Sequence, residues 1–169
     1  MRILVVSNLG LIRHTIEQTL GSANHTLHLT ESVPQAIEVL KDHLQLDVII
    51  CEWAIKNLTA FDLFQGYRQI DRCSDVDETL SAHFLVFRTP DRNGSSRGVV
   101  DRKDPKVDSL IALANAEFID KPIDRTQLTK RIKEIELERH SKRTSSADKP
   151  TANNTRRVDP EPLNTQPVT

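Results

Sequence analysis

Along the chain, short and almost unbroken apolar runs alternate with longer stretches in which apolar residues recur every three or four positions, and five such pairs can be traced between Ile3 and Ile135. The runs read as strands covered on both faces of a parallel sheet, and the wider spacing reads as one apolar face of a helix. Ile3 to Val6 is the first strand; Ile12, Ile16 and Leu20 then mark a helix that closes at Gly21. HTLHLT, residues 25 to 30, is a partly exposed second strand. Ser32 and Gln35 have the capping-box spacing, Pro34 fits a first turn, and Val33, Ile37, Leu40 and Leu44 continue a helical stripe.

Residues 47 to 57 read DVIICEWAIKN, in which Val48, Ile49, Ile50 and Cys51 form a buried third strand that ends on a carboxylate, Glu52. A lone acid at the end of such a strand sits where open α/β sheets place their ligands. Phe61, Phe64 and Tyr67 predict a third helix, weakened by Gly66, which gives way to the polar run DRCSDVDET. HFLVF, 83 to 87, is the fourth strand, and a loop over about 88–107 separates it from a helix carrying Leu110, Ile111, Leu113 and Ala114. Phe118 and Ile119 form a short fifth strand; Asp124 with Gln127 caps a last helix whose Leu128, Ile132 and Ile135 face the core. The predicted fold class is α/β, with a doubly wound five-stranded parallel sheet.

Composition changes this picture mainly at the C-terminus. From Ser141 onward there is no aromatic residue, four of the eight prolines and few apolar side chains, so residues 141–169 are expected to be a disordered hydrophilic tail after one domain over 1–140. The 23 basic and 24 acidic residues nearly cancel, so no overall field draws the chain to nucleic acid or to a membrane. Lys142, Arg143, Arg156 and Arg157 are too sparse for a nucleic-acid footprint. MRILVV is too brief an apolar start for a signal peptide or a membrane span, so the expected location is cytoplasmic, and Cys51 and Cys73 read as free thiols.

Several chemistries find no support. His14, His25, His28, His43, His83 and His140 include no i, i+4 pair with a third ligand nearby, so no zinc site is indicated. His14 reads as helix surface rather than a modified residue. Residues 7 to 11, SNLGL, hold a single glycine and make no phosphate loop.

The segments ILVVSN, DVIICEW and FIDKPID, in this order and spacing over about residues 1 to 140, resemble the receiver domain of bacterial response regulators, in a divergent (CheY-like, pseudo-receiver) form. The resemblance implies the flavodoxin-like receiver topology. It also implies a site in which two acidic residues after the first strand hold magnesium and an aspartate ending the third strand accepts a phosphoryl group from a histidine kinase. A Ser or Thr ends the fourth strand of such domains, and an aromatic residue stands three positions before a Lys-Pro pair. Lys121, Pro122 and Phe118 match the last feature, Phe118 being the switch-equivalent aromatic.

The other features differ. Ser7 and Asn8 stand at the acidic pair, so magnesium binding is expected to be weak or absent and no cofactor is called for. Glu52 stands at the phospho-acceptor position, and Arg88 where the hydroxyl residue is expected, with Thr89 one position on. Two readings of Glu52 stand. It imitates an aspartyl phosphate in part, with Lys121 opposite, or it simply neutralises Lys121 in a drifted pocket. Phe118 reads as plain core in preference to a switch.

Arg88, Arg92, Arg97, Arg102, Lys103 and Lys106 make the 88–107 loop locally basic against Asp91, Asp101 and Asp104, either as a solvated loop or as a cover for the pocket. The leading expectation is a stand-alone receiver-like domain, not an enzyme, that works through a protein partner such as a histidine kinase or another signalling protein. The resemblance also implies a homodimer surface built from the fourth helix, fifth strand and fifth helix. The alternatives are a still-functional phosphoacceptor of a two-component phosphorelay, its metal held by Asn8, Glu52 and a backbone carbonyl, and an anion or small-ligand binding module.

Overall fold

A computed structural model describes residues 1–21, 23–42, 45–71, 81–89 and 105–147. Its elements run β1 (Arg2–Val6), α1 (Gly10–Leu20), β2 (Thr26–Thr30), α2 (Val33–Asp42), β3 (Val48–Glu52), β4 (Ala54–Ile55), β5 (Leu58–Thr59), α3 (Ala60–Asp71), β6 (His83–Arg88), α4 (Pro105–Ala114), β7 (Ala116–Asp120) and α5 (Arg125–Ala147). Five strands form one parallel sheet in the order β2-β1-β3-β6-β7. The expected doubly wound sheet is therefore present, with its change of winding direction between β1 and β3.

Strand periodicity divides the core. Ile3 and Val5 on β1, Val48 and Ile50 on β3, and Leu85 and Phe87 on β6 face α1 and α5, packing with Ile16, Leu20, Leu128, Ile132 and Ile135. The intervening Leu4, Val6, Ile49, Cys51, Phe84 and Val86 face α2, α3 and α4. Because successive side chains on a strand point to opposite faces, an unbroken apolar run serves both layers at once. The edge strand β2 is correspondingly more exposed.

Several local features differ from the sequence expectation. Gly66 was expected to weaken α3; a Cβ there would lie 2.3 Å from Ile37 Cδ1, so the missing side chain is what lets α3 approach α2. Gln35 caps α2 by accepting from the Glu31 N–H at 3.0 Å rather than from that of Ser32. Asp124 caps α5 by accepting from the Thr126 N–H at 2.8 Å. A small antiparallel hairpin, β4–β5, follows Glu52, with Lys56 in its turn at φ 58°.

The last helix, α5, continues to Ala147, past residue 140 where the hydrophilic tail was expected to begin. Ser141 stays within the helix by donating its hydroxyl to the Leu137 carbonyl at 3.1 Å. An existing helix adds each further residue at little cost, and SKRTSSA holds neither Gly nor Pro to stop it. Leu44, Cys73, Arg92, Arg97, Arg102, Lys103 and residues 148–169 lie outside the described residues. Among the described residues no helix is long and apolar enough to cross a membrane.

Candidate functional site

Strand register brings the first two site residues together. Val6 pairs with Cys51, so Ser7, one step beyond, stands beside Glu52 on the same face, two positions after Val5 and Ile50 respectively. Both are buried, Ser7 at 1% and Glu52 at 5% exposure. The Ser7 hydroxyl donates to Glu52 Oε1 in a short hydrogen bond and accepts from the Leu9 N–H at 3.1 Å.

The third residue arrives from farther away. Lys121 leaves the end of β7, where its N–H donates to the Arg88 carbonyl at 2.9 Å. Its ammonium then reaches across β6 to donate to Glu52 Oε2 at 2.5 Å. Both oxygens of the carboxylate are thus engaged, one by a hydroxyl and one by a cation. Burial makes this necessary, since a carboxylate withdrawn from water without such partners is strongly destabilising. The Lys121–Pro122 peptide bond is cis, and Pro122 itself is exposed.

The remaining expected residues do not join Glu52. Asn8 is exposed on the loop after β1, and Thr89 is exposed after β6. Arg88, in register with Asp120, donates its Nε–H to Asp120 Oδ1 at 2.5 Å. Its guanidinium lies 5.6 Å from the centroid of the Phe118 ring, whose centroid is 6.0 Å from that of Trp53 in a tilted contact. Trp53 is buried, and its backbone N–H donates to the Phe87 carbonyl at 2.8 Å. A chain of contacts therefore runs from Asp120 through Arg88 and Phe118 to Trp53, the residue next to Glu52. The hydroxyl that Glu52 meets comes from β1, not from the end of β6.

Arg13 is a site-supporting residue that no spacing rule singles out. From α1 it donates to the Ser7 carbonyl at 2.6 Å and to Glu31 Oε1 at 2.7 Å, fixing the loop that carries Ser7 and Asn8. Because its partners lie just after β1 and just after β2, only the folded register reveals it. Among the described residues no three His, Cys, Asp or Glu side chains gather as a metal-binding group. Beside Glu52, burial, with the charge of Glu52 adding to it, pushes the Cys51 thiol far above its ordinary range.

No protein-family model and no curated protein matches the sequence. Solved structures do match. The signal receiver domain of an HD-domain-containing protein from Pseudomonas fluorescens Pf-5 is 19% identical with a TM-score of 0.62, over 85% of this chain and 91% of that one. The chemotaxis protein CheY4 of Vibrio cholerae is 17% identical with a TM-score of 0.59, over 79% of this chain and 97% of that one. The receiver domain of the hybrid histidine kinase CckA is 16% identical with a TM-score of 0.56, over 80% and 98%. With the strand order β2-β1-β3-β6-β7 and helices on both faces, these likenesses give the chain the fold of a response-regulator receiver domain.

Proposed function

We propose that this protein is a divergent receiver domain of a signalling system that is not phosphorylated at Glu52 and acts by binding another protein. The observation that carries the reading is the closure of the site on itself: both Glu52 oxygens are taken, by Ser7 and by Lys121. A hard divalent cation needs anionic oxygen ligands that are free to turn toward it. Here Glu52 would have to leave two partners to become one, and Ser7 and Asn8 add no charge to help. The residues present do not fit magnesium.

The same arrangement gives a mechanism without chemistry. The Glu52–Lys121 pair joins the end of β3 to the loop after β7, and Ser7 joins it to the loop after β1. Three loops at one end of the sheet are thereby held in one arrangement by permanent side chains. A partner that recognises that arrangement meets it without any phosphoryl donor. The protein is not an enzyme on this reading, since among the described residues the one buried carboxylate of the site, Glu52, already has both oxygens engaged.

The test uses Trp53, whose ring lies against Phe118. Its fluorescence is followed while magnesium and then beryllofluoride are added to the natural protein and to a variant carrying Ser7→Asp, Asn8→Asp and Glu52→Asp. The expected result is a flat response in the natural protein and a saturable one in the variant. A saturable, magnesium-dependent change in the natural protein overturns the proposal in favour of a working phosphoacceptor.

A further inference from the structure

At the opposite end of the sheet from Glu52 lies a second charged cluster. His83 opens β6 with its side chain only 5% exposed, and its backbone N–H donates to the Asp47 carbonyl at 3.0 Å. Asn115 Nδ2 lies 2.9 Å from His83 Nδ1. With the amide donating to Nδ1, the neutral ring carries its proton on Nε2. That nitrogen stands 3.4 Å from Glu117 Oε1 on β7 and, among the described residues, has no hydrogen-bond partner.

Glu117 is already gripped from the other side. Arg131 on α5 donates to it from Nε at 2.6 Å and from Nη2 in a shorter bond, and its Nη1 reaches Glu134 at 3.1 Å and Glu138 at 3.3 Å. The groups facing the ring are therefore Glu117 from β7, Asn115 from the turn before it, and Arg131 and Glu138 from α5. Asp47 meets the His83 backbone N–H through its carbonyl, and its carboxylate is held by Arg139 at 3.0 Å and by the Arg2 N–H at 2.8 Å.

We propose that His83 works a proton-operated clamp between β7 and α5: the ring gains its proton on Nδ1, the Asn115 amide turns so that its Oδ1 accepts there, the charged ring takes Glu117 as partner through Nε2–H, and Arg131 is left to Glu134 and Glu138. A proton entering this cluster meets three carboxylates and one guanidinium, so the ring can be charged in place by exchanging partners. Burial opposes that, and it is the chief reason His83 titrates below its ordinary range, with Arg131 acting in the same direction and Glu117 and Glu138 against it. A ring held neutral in the fold keeps its full contribution above the ordinary histidine value of about 6.5 and loses it as pH falls through the lowered one. Once Arg131 has let go of Glu117, α5 loses its polar tie to β7 and keeps the apolar contacts of Leu128, Ile132 and Ile135 together with the Arg139 hydrogen bonds to Asp47 at 3.0 Å and to the Ser81 carbonyl at 2.9 Å. The clamp stands apart from the Glu52 site and does not depend on its reading.

The experiment follows the imidazole of His83 by NMR together with hydrogen exchange of the α5 amides on the full chain, from pH 7.5 to 5, after correction for intrinsic exchange. Protection of α5 should fall several-fold in step with His83 titration, while α1 keeps its own. Arg131→Met should raise the pH at which His83 titrates. Glu117→Gln, at a half-exposed position that tolerates change, should lower it and remove the step in α5. The proposal fails if α5 protection is unchanged across the titration of His83, or if the step survives in both Glu117→Gln and His83→Gln.

Discussion

Glu52 and Lys121, 69 positions apart in sequence, meet at 2.5 Å with the Glu52 side chain 7% and the Lys121 side chain 23% exposed. An ion pair that is mostly withdrawn from water contributes little net stability over apolar neighbours, yet losing one member strands the other. The pair is therefore a constraint on geometry more than a source of stability.

Lys121→Met should thus destabilise the domain by about 2–3 kcal/mol, because it leaves the Glu52 carboxylate with Ser7 as its one remaining partner of the two. Adding Glu52→Leu should recover most of that loss. Urea unfolding of the two single variants and the double variant gives the coupling directly, and simple additivity would show that the pair does not act as a unit.

Ser7→Ala removes both the hydroxyl that donates to Glu52 and the oxygen that accepts from the Leu9 N–H. The expected cost is about 1–2 kcal/mol. Exchange of the Leu9 amide should rise by more than that of the β1 interior, which native-state hydrogen exchange can resolve.

Gly66→Ala sets two effects against each other. Alanine favours a helix interior by about 1 kcal/mol over glycine, but here its methyl must displace Ile37, whose Cδ1 lies 2.3 Å from the position it would take. The single variant should be destabilised by about 1–2 kcal/mol through overpacking. Combined with Ile37→Val, which removes that atom, it should be neutral or stabilising by thermal unfolding.

Cys51 is 1% exposed and its thiol is held protonated by burial and by Glu52. In a Cys73→Ser background, reaction with a thiol reagent at pH 8 should be slower than that of an exposed cysteine by about a thousandfold or more, since it must await opening of the sheet. Rapid labelling would mean that β3 is readily reached from solvent.

The sequence pattern carried the sheet because strands buried on both faces leave unbroken apolar runs, as at Val48 to Cys51. The pairing of Ser7 with Glu52 follows from a period of two only once the β1–β3 register is known, which the sequence alone does not supply. Other features depend on which distant group arrives. Arg88 could leave the end of β6 in either direction, and only the Arg88–Asp120 register decides it. Gly66 looked like a weakness because propensity sees its own helix alone, whereas Ile37 gives it its meaning. Arg13 reads as ordinary helix surface until β1 and β2 bring its partners within reach, and α5 outruns its expected end because nothing in SKRTSSA marks a stop.

The position of Lys121 has a kinetic consequence. Its ammonium can find Glu52 only after β6 has docked on β3 and β7 on β6, so the pair belongs among the last contacts of the sheet to close. Interactions formed after the folding barrier leave the rate of folding nearly unchanged and govern the rate of escape from the native state. Glu52 and Lys121 thus act as a late fastening, and the lifetime of the folded domain, rather than the speed with which it is reached, is the quantity they set.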